Sequence, residues 1–275
     1  MEEITGFFSY PANSQAIDVV TVTAKGEPTL HSGLGTILRH IKTQTSKPLA
    51  VLTNGTTLML PPVRQALMAA DVVVPSLDSA RDASFRKIDR PVPGLDLNEI
   101  IAGLITFSHE YRGQLWLEVL LSCGINDSDE DLSALQSVVS KMRLDRVQLN
   151  TVLRPPAEPY ALPLATVQLA AIAQSFSLQT GVPVDFPGDN PVSEGQDHGH
   201  ASLETGTMQG VEKEILRMIA RRPCTAAEID RSFNLGGSDK VWQLLERLMK
   251  TGMVQKIEYA GRVYFQYAAA EQAHP

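Results

Sequence analysis

The chain has 275 residues, 43% of them hydrophobic, with 24 Lys and Arg against 31 Asp and Glu for a net charge of −7 at pH 7. That apolar supply fills a sizeable core and predicts one large and one small domain. No stretch approaches the roughly 20 consecutive apolar residues that span a bilayer, and the start, Met1-Glu2-Glu3-Ile4, is acidic where a signal peptide is basic, so the expectation is a cytoplasmic protein with no membrane partner. The only cysteines, Cys123 and Cys224, are far apart in sequence, which excludes a disulfide framework and a zinc knuckle and predicts two buried apolar fillers.

In chain order, Ile4, Phe7 and Phe8 predict a helix already under way at Met1, with no capping residue before it. Residues 17–24 are β-branched and almost continuously apolar, the signature of a strand covered on both faces of a parallel sheet. The same signature recurs at residues 49–53, 71–74, 115–121 and 146–152. Between these runs the spacings of Leu34, Ile37, Leu38 and Ile41, of Val63, Leu67 and Met68, of Ile100, Ile101, Leu104 and Phe107, and of Leu132, Leu135, Val138 and Val139 predict helices. Alternating strands and helices imply parallel βα units with right-handed crossovers, closed or nearly closed into a barrel, with ligands beyond the carboxyl ends of the strands.

Residues 185–209 are rich in Gly and Pro and predict a linker between a barrel domain over residues 1–184 and a small domain over residues 210–268. The tail carries an amphipathic run from Glu212 to Ile219, a capping-box start at Thr225-Ala226-Ala227-Glu228, a third helix from Lys240 to Thr251 stopped by Gly252, and strands over 253–258 and 262–267 turning at Ala260-Gly261. Three helices and a hairpin resemble a winged helix-turn-helix. Residues 210–275 hold ten Lys and Arg against eight Asp and Glu, a modest excess for phosphate binding, so nucleic acid and protein are both open as partners.

The candidate chemistry lies just after the strands. Lys25-Gly26-Glu27-Pro28-Thr29-Leu30-His31 follows the first: Gly26 lets a ligand approach the backbone, and Glu27 offers an acceptor to a ligand ammonium. The next strands end in Thr53-Asn54-Gly55 and in Pro75-Ser76-Leu77-Asp78. Gly124-Ile125-Asn126-Asp127 follows the fourth, and Asn150 lies on the fifth. Hydroxyl, amide and carboxylate groups suit a ribose and an amino acid in a partly dry pocket. Each has an ordinary alternative: Glu27 as a helix cap, Asn54 and Asp78 as turn residues, His31 as a surface residue, and His198 and His200 as solvated linker side chains.

Taken in order, Gly-Glu-Pro-Thr-Leu-His, Thr-Asn-Gly and Ser-Leu-Asp on successive strand ends resemble the radical S-adenosylmethionine (SAM) superfamily over roughly residues 15–160, and Arg154-Pro155-Pro156-Ala157-Glu158-Pro159 is similar to a subgroup that ends in a winged helix. The resemblance implies an α/β fold with a partial (β/α)6-type barrel lacking its first strand. It implies SAM held by Gly26, Glu27, Pro28 and Thr29, with Glu27 on the methionyl ammonium, by Thr53, Asn54, Ser76 and Asp78 on the methionyl and ribose side, and by Asn126 and Asn150 near the adenosine. It also implies a 4Fe-4S cluster, an electron donor such as flavodoxin or ferredoxin, and a 5′-deoxyadenosyl radical acting on an unknown substrate.

The chain departs from the pattern in having Lys25 where the family has glycine and in lacking the C-x3-C-x2-C motif that holds the cluster. The expectation is therefore an amino-terminally shortened chain, inactive as it stands, with an unpaired strand edge over Ile17 to Thr23 that favours oligomerisation. The alternative is a cluster-free barrel that acts through its winged helix as a binding or regulatory protein. An aldolase-like barrel is disfavoured, because no strand end offers a lysine in a Schiff-base setting.

Overall fold

The computed structural model describes residues 1–15, 17–188 and 208–268. Most of the expected linker, including His198 and His200, lies outside them. The chain divides into two compact units, the first over Met1–Val152 and Glu158–Gly195, the second over Leu153–Ala157 and Gln196–Pro275.

In the first unit, helices α1 (Glu2–Phe8) and α2 (Pro11–Gln15) precede β1 (Val20–Val22). Then come a 3-10 turn (Pro28–Leu30), α3 (Leu34–Gln44), β2 (Leu49–Thr53), α4 (Pro61–Leu67), β3 (Val72–Pro75), α5 (Asp82–Ile88), α6 (Leu97–Glu110), β4 (Gln114–Leu121), α7 (Asp129–Val139), β5 (Arg146–Thr151), α8 (Thr166–Thr180) and β6 (Val184–Asp185). The six strands form one parallel sheet in sequential order, β1 to β6. Each helix thus returns the chain to the next strand, as in a partial barrel, and β1 and β6 remain edges among the described residues.

Strand β2 coincides with its predicted run. The first strand contracts to three residues, and its unpaired flank lies against α1 across a cavity of about 360 Å³ lined by Ile4, Phe7, Phe8, Val19 and Val20. Helices α2, α5 and α8 and strand β6 are additions to the sequence reading.

The two faces of the sheet differ in chemistry. Leu115, Leu117, Val119 and Leu121 of β4, with Val147 and Leu149 of β5, are fully buried against the helices as part of a core that includes Leu38, Leu104, Phe107 and Phe176. The pairings Trp116 with Arg146, Glu118 with Gln148 and Leu120 with Asn150 place the alternate side chains on the other, inner face. That face is apolar toward its start, where Ala50, Val72, Val74 and Trp116 pack together, and polar toward the carboxyl ends of the strands.

The second unit contains α9 (Met208–Arg221), α10 (Ala226–Phe233), α11 (Ser238–Lys250) and an antiparallel hairpin of β7 (Val254–Tyr259) and β8 (Arg262–Tyr267). Its core is built on Ile215, Ile219, Ile229, Leu245 and Phe265. The expected capping box is present: Thr225 Oγ accepts from the Glu228 backbone N–H at 3.2 Å, and the Glu228 carboxylate accepts from the Thr225 N–H at 2.8 Å. Gly252 adopts φ +74° just after α11, the left-handed conformation that ends a helix at little cost for glycine.

Candidate functional site

The carboxyl ends of β1 and β2 are joined by one side chain. Glu27 Oε1 accepts from the Thr29 N–H at 2.9 Å, the Thr29 hydroxyl at 2.5 Å and the Thr53 hydroxyl at 2.6 Å, while Oε2 accepts from the Asn54 N–H at 2.6 Å. The capping role is therefore real, since Glu27 is the N-cap of the Pro28–Leu30 turn. A carboxylate has about four acceptor positions, and Oε2 has only one protein donor. It retains capacity for a ligand N–H.

The hydroxyls of Thr29 and Thr57 also meet, and Thr29, Thr53 and Thr57 are all buried. These contacts hold the strand-end loops in a fixed relation. A Cβ built on Gly26 meets nothing within 4 Å, so the protein's own packing does not require glycine there and the backbone stands open to an approaching group.

Asn54 follows the turn reading: its Oδ1 accepts from the Thr56 N–H at 3.0 Å and the Thr56 hydroxyl at 2.7 Å. Its backbone carries the contact to Glu27. Gly55 takes φ +72° with Leu104 Cδ2 3.3 Å from an added Cβ, so the turn favours glycine by conformation and by space.

Ser76 extends β3, bridging to Glu118. By that register Ser76, Asp78 and Glu118 share the inner face. Asp78 Oδ1 accepts from the Leu120 N–H at 2.8 Å. Burial, with Asp89 and Glu118 adding like charge, pushes the Asp78 carboxyl up to about 7 despite that hydrogen bond. Asp89, the C-cap of α5, is exposed as a residue, and partial desolvation by the surrounding protein pushes its carboxyl up to about 6. The mouth thus holds carboxyls poised between neutral and charged at neutral pH.

Asn126 plays a different part from the one the resemblance implied. It is fully buried; its amide donates to Asp78 O at 2.7 Å and Leu120 O at 2.8 Å, and its Oδ1 accepts from the Ser122 N–H at 2.8 Å. Both amide hydrogens are consumed in fixing the Asp78 segment to β4, so Asn126 acts as scaffold. His31 Nδ1 accepts from the Gly33 N–H at 3.0 Å on the surface, the ordinary reading of that residue.

Asn150 donates to Glu118 Oε1 at 2.7 Å on the inner face. Beside it the Arg146 guanidinium lies 5.5 Å from the centre of the Trp116 ring and pairs with Asp185. Trp116, Glu118, Arg146 and Asp185 were not singled out from sequence. The available signal was the period-2 alternation within β4 and β5, where a strand buried on both faces is uniformly apolar.

Cys123 and Cys224 are free, the first half-buried and the second buried, and they belong to different units. Two thiols are too few for the three thiolates of the C-x3-C-x2-C motif, and among the described residues no group of three or more His, Cys, Asp or Glu is arranged to hold a metal ion. The residues of this chain therefore do not fit an iron-sulfur cluster. Glu27 Oε2, with acceptor capacity to spare, and the uncrowded backbone at Gly26 offer chemistry that a ligand amine can use.

No family model matches the chain. The fold, an α/β arrangement on a six-stranded parallel sheet, is like that of radical SAM barrels. A domain of the pyruvate-formate lyase-activating enzyme from Bacteroides vulgatus superposes with a TM-score of 0.50 and 16% identity, covering 62% of this chain and 98% of that one. A radical SAM methyltransferase from Sphaerobacter thermophilus superposes at 0.50 with 20% identity, covering 64% and 54%. At these identities the likeness is one of fold alone.

The sequence relatives are mainly UPF0026 proteins. One from Helicobacter pylori is 35% identical over 214 residues, 77% of this chain and 64% of the relative; one from Methanocaldococcus jannaschii is 26% identical over 254 residues, 92% and 75%. A Brachyspira hyodysenteriae protein named GTPase Obg is 33% identical over 244 residues, 89% of this chain. The chain spans 34% of that protein's length and 64% of the Helicobacter relative's.

Proposed function

We propose that the first unit is the SAM-binding barrel of a radical SAM enzyme. The open strand-end mouth takes the cofactor, with its methionyl ammonium on Glu27 Oε2 and its backbone approach at Gly26. The observation that carries this reading is the Glu27 carboxylate, fixed by four protein donors on two strand ends yet keeping one free acceptor position on Oε2. Ser76, Asp78 and Asn150 then offer hydroxyl, carboxyl and amide groups to the ribose and adenosine side, and Pro28, Thr29, Thr53 and Asn54 hold the loops in place. SAM held there would serve as the source of an adenosyl radical, and Cys123 and Cys224 alone would not supply the three thiolates that a cluster for its cleavage requires.

The cysteine count favours a second reading, in which the barrel binds SAM without a cluster and works through the three-helix-and-hairpin unit as a winged-helix binding or regulatory module. Isothermal titration with SAM, alongside iron and sulfide analysis of the purified protein, tests both. SAM binding at micromolar concentrations supports the barrel assignment, and iron with sulfide in the protein isolated from its source, held by thiolates other than Cys123 and Cys224, selects the first reading over the second. Absence of SAM binding overturns both.

A further inference from the structure

The inner face and its rim differ in character. Leu30 after β1, Leu60 after β2, Val92 between α5 and α6, and Tyr160 and Leu162 after β5 are exposed by between 49% and 73%. They come from four segments at the carboxyl end of the sheet. Two contacts fix the last three there: Arg90 pairs with Glu158 at 2.5 Å, and the Cys123 N–H donates to Leu162 O at 2.9 Å. Exposed apolar groups on several loops at one end of a sheet mark a contact surface.

Inside that rim the side chains are mainly acidic, with Asp78 held partly neutral near pH 7 by its burial. Arg146 is matched by Asp185, leaving Glu118, Asp78 and Asp89 without a cationic partner among the described residues. The only hydrogen bonds described to the Glu118 and Asp78 carboxylates come from the neutral Asn150 amide and the Leu120 N–H. Phosphate-bearing partners, nucleic acid and anionic lipid alike, are repelled by this interior. A free amine matches the interior but leaves the rim uncovered.

We propose that this mouth docks a polypeptide presenting a Lys or Arg side chain flanked by apolar residues, the cation entering toward Glu118 and the flanking side chains covering Leu30, Leu60, Val92, Tyr160 and Leu162. Charge complementarity selects the central residue and apolar burial supplies the affinity around it. The inference deepens the proposed function by naming its substrate class, and it rests on that reading for the chemistry at the mouth but not for the docking.

Selection of bead-displayed random heptapeptides against the full-length protein tests it. The expected outcome is enrichment, by about ten-fold, of Lys or Arg flanked by Leu, Ile, Phe or Val. Glu118→Gln removes the basic preference, and Val92→Asp with Leu162→Asp removes the apolar one; each variant is checked for an unchanged melting temperature. Selected peptides without a basic residue, no enrichment at all, or preferential binding of single-stranded RNA or of phosphatidylglycerol vesicles overturns the proposal. Peptide selection without SAM binding sinks the cofactor reading and leaves docking intact; SAM binding without selection does the reverse.

Discussion

Replacing Glu27 by Gln isolates the charge from the shape of the side chain. Gln keeps one carbonyl oxygen for the Thr29 N–H and the Thr29 and Thr53 hydroxyls, but presents an NH2 to the Asn54 N–H, now 2.6 Å from Oε2. A hydrogen bond to a charged group contributes about 1.5–3 kcal/mol. One such bond becomes a donor–donor contact and three lose their charge assistance, so the expected loss is about 3 kcal/mol. A domain of 150–250 residues loses about 2–4 °C of melting temperature per kcal/mol, which gives a fall of about 6–12 °C.

The two tryptophans lie in different units, Trp116 in the first and Trp242 in the second. Melting followed by fluorescence in a Trp242→Phe background therefore reports the first unit alone, and Phe retains an aromatic partner for Phe265, whose ring centre is 4.8 Å from that of Trp242. A Glu27→Gln melt within about 1 °C of the parent refutes the view that this carboxylate joins the strand ends. Cofactor affinity measured well below the melt then separates ligand contact from folding.

Two further substitutions probe what shapes the mouth. The folded Asp78 carboxyl lies at about 7, above its ordinary 3.8, so the native state keeps a proton that the unfolded chain releases between those values. Its stabilisation is full below about 4 and declines as pH rises through 7. Asp78→Asn retains an acceptor for the Leu120 N–H, so the same fluorescence melt is expected to be near the parent's at pH 4.5 and higher at pH 8; an equal change at both pH values counts against this account. Gly103→Ala places a Cβ 2.4 Å from Met59 N and 2.8 Å from Leu58 C, forcing α6 away from the loop after β2 at a cost of about 1–3 kcal/mol; chemical denaturation reads the loss, and an unchanged midpoint refutes the close packing.

The sequence made the strands legible where they are β-branched runs bounded by polar residues, as at Leu49–Thr53. It hid β6 because two residues, Val184–Asp185, carry no period. It hid α8 because the helix Thr166–Thr180 spreads its apolar residues around the axis, with Val167 and Leu178 exposed while Leu169 and Phe176 are buried. The strand-end motifs were found, but their division of labour was not. That Asn54 turns its own loop is local and was one of the two readings of its sequence, whereas that Asn126 staples Asp78 to β4 and that Glu27 serves two strands are long-range facts, set by partners 48 and 26 residues away.

The inner face carries the deeper lesson. A parallel sheet wrapped by helices buries both surfaces, so its strands are uniformly apolar, yet Arg146-Val147-Gln148-Leu149-Asn150 alternates and β4 carries Glu118 between Leu117 and Val119. Alternation in a sheet whose outer face is sealed by helices means that the inner face meets something polar. The Asn150–Glu118 bond and the Arg146–Asp185 pair satisfy part of that face, and the carboxyl groups near the strand ends that lack a cationic partner among the described residues are what remains for a ligand. The strand pattern therefore places the polar site inside the curve of the sheet, toward the same ends at which Glu27 fixes the loops.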